Sequence, residues 1–194
     1  MRVSRIQAEE NRQAVIDAAS RLFREHGFDG IGLKDLMEGA GLTQGAFYKQ
    51  FASKEDLVAQ ASKRALESAS SRWSAALAAN PKDPLGAVIA FYLSPEHREE
   101  RMDGCPVVAL GADAARQGND VKASFEVGIR AYLNALGDLL AEPNRRKSKS
   151  PRKAMAVLST MVGAMTLARA VNDPDLAQAF LDAAAQQVRE TTAA

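Results

Sequence analysis

Apolar residues recur at spacings of three and four along most of this chain, and the strict alternation of a half-buried strand is scarce. The pattern therefore predicts an all-α fold of about nine helices. A first helix is expected from about Gln7 to His26, with Val15, Ala18, Ala19, Leu22 and Phe23 as its buried stripe and Gly27 as an αL cap. A short second helix runs from about Leu33 to Ala40, burying Leu33, Leu36 and Met37, and Gly41 follows as a tight turn. Thr43 is placed to cap a brief third helix. Ser53, with Asp56 three positions on, has the pattern of a capping box for a fourth helix that reaches about Ala79.

Beyond that point the chain is punctuated by breakers. "NPKDP" at Asn80 to Pro84 ends the long helix and places Pro84 in the first turn of a fifth. "SPEHREERMDGCP" and "RQGND" are further breaks, leaving helices from about Pro106 to Arg116 and from about Asp120 to Ala141. "EPNRRKSKSP" is polar, basic and bracketed by prolines, and reads as a solvated loop or a second phosphate-binding patch. Two last helices are expected, from about Pro151 to Val171 and from about Pro174 to Glu190.

The segment "GLTQGAFYKQFASKEDL" carries the chemistry. If Phe47 and Phe51 face a small core with Leu36, Leu42 and Leu57, then Gln44, Gly45, Tyr48 and Lys49 are left on the opposite face. Two short helices joined through Gly41 and preceded by a longer one make a helix-turn-helix, whose second member can enter a major groove. On that face Gln44 can read adenine or a phosphate, Gly45 lets the backbone come close, and the Tyr48 hydroxyl can donate to a phosphate oxygen. Lys49 adds charge, and Lys54 and Lys34 lie in the first turns of their helices, where backbone amides also hold anions.

Composition narrows the alternatives. With 194 residues, 46% of them apolar, the chain can bury a sizeable core. The longest uninterrupted apolar run, Ala87 to Leu93, is far short of the roughly 18 residues of a membrane span. The start "MRVSRIQAEENRQ" lacks the apolar core of a signal peptide, so the cytoplasm and no membrane partner are expected. The single cysteine, Cys105, allows no internal disulfide, and His26 and His97 are the only imidazoles, so no metal centre is expected. No spaced nucleophile, base and orienting group appears, so neither an enzyme nor a cofactor is expected. Net charge is +1, and residues 1–64 carry ten basic against nine acidic groups. Any DNA affinity must therefore come from where charges sit.

Taken together, "AASRLFREHGFDG" and "LKDLMEGAGLTQGAFYKQFASKEDL" make residues 10–57 resemble the DNA-binding region of the TetR/AcrR family of bacterial transcriptional regulators. The resemblance implies a helix-turn-helix domain over residues 1–52 and an effector-binding and dimerisation domain over 53–194. Its DNA-contacting set would be Lys34, Thr43, Gln44, Gly45, Tyr48, Lys49 and Lys54. Two departures stand out. Gly32 sits where the family often has Thr or Ser as a cap, and Lys49 and Gln50 stand where His and Tyr are common, so no relative's operator sequence carries over.

The resemblance further implies a homodimer on double-stranded, palindromic operator DNA, since one helix-turn-helix reads too few base pairs for useful specificity. The last two helices would supply the interface, with Met161, Ala164, Leu167, Phe180 and Ala184 as its candidate residues. The middle helices would enclose an effector, a small apolar or aromatic molecule, among Trp73, Phe91, Tyr92, Met102, Cys105, Phe125 and Ile129. Cys105, between Gly104 and Pro106 ahead of a helix, is either a small buried turn residue or a reactive thiol. The expected function is a ligand-responsive repressor. A DNA-binding adaptor controlled by a protein partner is the alternative.

Overall fold

The computed structural model describes residues 4–141 and 151–193. The expected loop "EPNRRKSKSP" lies, except for Pro151, outside the described residues. Among these residues all regular secondary structure is helical: α1 (Arg5–His26), α2 (Leu33–Gly39), a 3-10 helix (Gln44–Lys49), α3 (Lys54–Ala79), α4 (Pro84–Tyr92), α5 (Pro95–Glu99), α6 (Pro106–Ala114), α7 (Asn119–Leu139), α8 (Pro151–Ala170) and α9 (Pro174–Ala193). None of them is long and apolar enough to cross a membrane. The short α5 falls inside a segment read from sequence as a break. Pro95 in its first turn and the Ser94 hydroxyl, accepting from the His97 amide at 3.1 Å, start it there.

Helix ends follow local chemistry. Ser4 caps α1, Ser53 caps α3 through the Asp56 amide at 3.2 Å, and Asp83 caps α4 through the Gly86 amide at 2.8 Å. The Asp56 carboxylate reaches back to the Ala52 amide at 3.1 Å, so the expected capping box closes one residue further out. Gly27 ends α1 with φ +76° but ψ 169°, so it is an extended glycine-only stop rather than the expected αL cap. A Cβ there would meet the Asp113 carboxylate at 2.9 Å.

α3 is the organising element, packing on α1 toward the N-terminal end and on α4 and α7 beyond it, while α8 pairs with α9 and α6 lies against α1, α7 and α8. The core phase of α1 differs from the expected one. Ile16, Ser20 and Arg24 are buried beside Val15, Ala19 and Phe23, whereas Ala18 and Leu22 are only partly covered, as is Leu33 in α2. In α8 the stripe Ala154, Val157, Leu158, Met161, Met165 and Ala168 faces the core, and Ala164 joins it. In α9 the core stripe is Ala177, Leu181, Ala184 and Val188, so Leu176, Ala179 and Ala183 point outward.

Candidate nucleic-acid interface

The turn between α2 and the 3-10 helix is a Schellman motif. The Gly41 amide donates to the Glu38 carbonyl and the Leu42 amide to the Met37 carbonyl, both at 2.9 Å, with Gly41 at φ +70°. That geometry sends the chain out of α2 and tucks Leu42 against the core. Phe47, fully buried, then anchors the 3-10 helix by stacking on Phe51 with ring centroids 5.4 Å apart.

With that side inward, Thr43, Gln44, Gly45, Tyr48 and Lys49 are all exposed, and Tyr48 is 71% accessible with its ring edge-on to Phe47. No atom lies within 4 Å of where a Gly45 Cβ would stand, so nothing in the chain itself requires glycine there. The helix between Thr43 and Gln50 is 3-10 rather than α, and the Thr43 side chain makes no capping bond, contrary to the expected cap. Lys34 is exposed and loosely paired with Glu38 at 3.8 Å. Lys54 is different: its ammonium donates to the Ile31 carbonyl at 2.9 Å, which ties the start of α3 to the entrance of α2. Glu55, beside it, has its carboxyl pKa lowered by the Ser53 hydroxyl.

Residues 15–61 match the family model described as "Bacterial regulatory proteins, tetR family". Over this segment the chain is similar to the TetR/AcrR family.

It is 24% identical over 134 residues to the HTH-type transcriptional repressor NemR of Escherichia coli (strain K12), covering 68% of this chain and 67% of that one. It is 37% identical over 59 residues to the HTH-type transcriptional regulator AcrR of Shigella flexneri, covering 30% of this chain and 27% of that one. A TetR-family regulator from Cytophaga hutchinsonii superimposes with a TM-score of 0.80 at 19% identity, over 100% of this chain and 97% of that one, a likeness of fold.

The residues read as an effector set do not share one cavity. Trp73, Phe91, Tyr92 and Cys105 line an interior cavity of about 10 Å³, room for about one water. Phe125 and Ile129 line a separate open groove of about 610 Å³ between α6, α7 and α8. Met102, between α5 and α6, lines neither. The residues read as an interface divide as well. Met161, Ala164 and Ala184 are buried within their own subunit, whereas Leu167 is 48% exposed and Phe180 is half-buried.

Sequence reasoning missed a polar junction that joins the helix-turn-helix to the remainder. Arg24 of α1, buried, donates from Nε to the Ser20 carbonyl at 2.9 Å and from Nη1 to the Gly104 carbonyl at 3.0 Å. Burial lowers its pKa, and nearby Asp103 opposes that shift. Asp103 also pairs with Arg21 at 3.0 Å, and Asp113 of α6 accepts from the Phe28 amide at 3.3 Å. His97, also buried, accepts from the Cys105 amide at Nε2 (3.0 Å), so its Nδ1 proton goes to the Tyr92 carbonyl at 2.7 Å. Burial holds its pKa down to about 4, with the Arg169 and Arg72 charges acting the same way. The available signal for Arg24 was its spacing: Ile16, Ser20 and Arg24 stand four apart, on the buried side of α1.

Proposed function

We propose that this chain is a homodimeric transcriptional repressor that grips a palindromic operator through its helix-turn-helix and is released by a small apolar or aromatic effector. The observation that carries this reading is the exposed, polar Gln44–Gly45–Tyr48–Lys49 face opposite a buried Phe47. Gln44 reads a base edge, Gly45 admits the groove wall, and Tyr48, Lys49, Lys34 and the Thr43 hydroxyl contact phosphates. Lys54 keeps one proton on Ile31 and has two left for a phosphate. The similarity to NemR, a transcriptional repressor, supports the sign of regulation.

Residues 1–52 form the DNA-binding unit and 53–194 the effector-binding and dimerisation unit, with α3 shared between them. The subunits pair through the outward faces of α8 and α9, where Ala156, Ser159 and Leu167 meet Ala179, Phe180 and Ala183 around a two-fold axis. Small residues at these positions support close helix approach. The smallness of the interior cavity also supports a second reading, an adaptor whose DNA binding is set by a protein partner. A band-shift on operator DNA with a panel of aromatic compounds separates the two. Release by any compound supports the effector reading, and release only by a protein fraction supports the adaptor.

A further inference from the structure

Two buried polar groups around the interior cavity lack partners among the described residues. The indole N–H of Trp73 has no acceptor, and the Tyr92 hydroxyl has only the Cys105 sulfur beside it. Trp73 and Tyr92 are 3% and 2% exposed, and both line the same cavity. An unsatisfied buried donor costs about 1–3 kcal/mol, so a ligand that supplies an acceptor recovers interaction the free protein forgoes. The walls are aromatic: Trp73 lies 5.8 Å from Tyr92 and 5.0 Å from Tyr132 by ring centroid, and Phe91 stacks on His97 at 6.0 Å.

The unpartnered chemistry of the lining is one-sided, since the Asp103 carboxylate is held by Arg21 and Arg24. Indole N–H is a donor only, and burial raises the Tyr92 pKa well above its ordinary value, so that hydroxyl keeps its proton. His97 offers nothing, because both ring nitrogens are already engaged. Arg72 closes the solvent side by lying over Phe91 at 5.5 Å and holding Glu100 and the Asp103 carbonyl. Its charge is thus already partnered, which leaves no call for an anionic ligand.

We propose that this cavity is the effector site and that its ligand is a planar, uncharged aromatic carbonyl compound, its oxygen accepting from Trp73 Nε1 and the Tyr92 hydroxyl. This rests on the ligand-gated reading above. At about 10 Å³ the cavity is too small for such a ligand in the free chain, so binding displaces the Arg72–Phe91 wall, and the population of the widened form scales the affinity. Gly104, another wall residue, carries the carbonyl that holds Arg24 of α1, so occupancy bears directly on the helix that supports the DNA-binding unit.

Trp73 is the only tryptophan in the chain, and its emission reports the site. The test titrates the full chain with acetophenone and with ethylbenzene, which has a similar shape and no acceptor. Saturable change in emission with acetophenone, and binding at least about 3-fold tighter than ethylbenzene, is expected from one recovered hydrogen bond. Tyr92→Phe keeps the reporter, and Trp73→Phe is followed by calorimetry. Each should reduce the preference for acetophenone about 3- to 10-fold, with circular dichroism verifying the fold. Equal affinity for the two compounds, no saturable binding, or a preference unchanged in both folded variants overturns the proposal, and the comparison on the unaltered chain decides if a variant does not fold. DNA release is read separately. If acetophenone binds with the expected preference and leaves the DNA complex intact, the site stands and the gating reading fails. If another compound releases DNA while acetophenone does not bind, gating stands and this site and ligand class fail.

Discussion

Arg24 and Gly104 lie 80 residues apart in sequence, yet the guanidinium of the first donates to the carbonyl of the second across 3.0 Å inside the protein. The bond joins the last turn of α1 to the segment that leads into α6. Arg24 also holds the Ser20 carbonyl and approaches Asp103 at 3.7 Å, so this one side chain ties the last turn of α1 to the segment before α6. Arg24→Met keeps the apolar bulk and removes every one of these contacts. Stability should fall by about 2–3 kcal/mol, the loss expected for buried charged hydrogen bonds. Urea denaturation reads this directly, and an unchanged midpoint would mean that Arg24 is dispensable to the junction.

His97 makes the protein acid-sensitive in a defined window. Its pKa lies near 4 in the folded chain against the ordinary 6.5, so the unfolded chain binds the extra proton between those values. The sign follows: the neutral imidazole's contribution is complete above pH 6.5 and is lost as pH falls toward about 4, by up to about 3 kcal/mol. His97→Gln, a neutral side chain that both donates and accepts, should flatten the stability profile between these pH values relative to the native chain. Parallel profiles from thermal unfolding at pH 4.5 and 7.5 would exclude His97 as the source.

The local part of this architecture was legible because short-range chemistry determines it. Gly41 needs a positive φ, Ser53 caps through the residue three ahead, and the four-residue spacing of Phe47 and Phe51 leaves Tyr48 outside. What escaped is tertiary. Arg24 is buried with a partner 80 residues away, the Gly104 carbonyl, and His97 is buried between the Tyr92 carbonyl and the Cys105 amide across helix breaks, and no periodic pattern reveals these partners. α8 is apolar on most sides, so sequence alone did not distinguish Met161 and Ala164, which face the core, from Leu167, which does not. Phe125 and Ile129 were grouped with Trp73 by residue type, whereas the fold gives them a different groove.

On the DNA-binding face, Tyr48→Phe and Lys49→Ala should each weaken operator binding by about 1 kcal/mol per subunit, roughly 30-fold for a dimer, with little effect on stability because both side chains are exposed. Lys49→Ala should also lower the salt dependence, by about one phosphate contact per subunit. Lys54→Ala is expected to lower stability as well as affinity, since it removes the bond to Ile31. Fluorescence anisotropy across a salt series, paired with thermal midpoints, separates these cases. Native affinity in both Tyr48→Phe and Lys49→Ala would place the DNA elsewhere.

The outward faces of α8 and α9 predict the assembly. Leu167→Glu places a charge at a residue 48% exposed in the single chain, so the monomer should tolerate it while the dimer should not. Sedimentation at micromolar concentration should find the native chain as a dimer and the variant as a folded monomer. A monomeric native chain, or a variant that remains dimeric, would move the interface off these helices.

The most direct test of the account is selection of bound fragments from genomic DNA at low salt, run in parallel with the native chain and with Gln44→Ala. The account predicts that the native chain enriches an inverted repeat with half-sites about one helical turn or somewhat more apart. It predicts also that Gln44→Ala shifts the preferred bases within each half-site while leaving the spacing unchanged. Recovery of fragments with no common inverted repeat, or an identical half-site from both proteins, would contradict it.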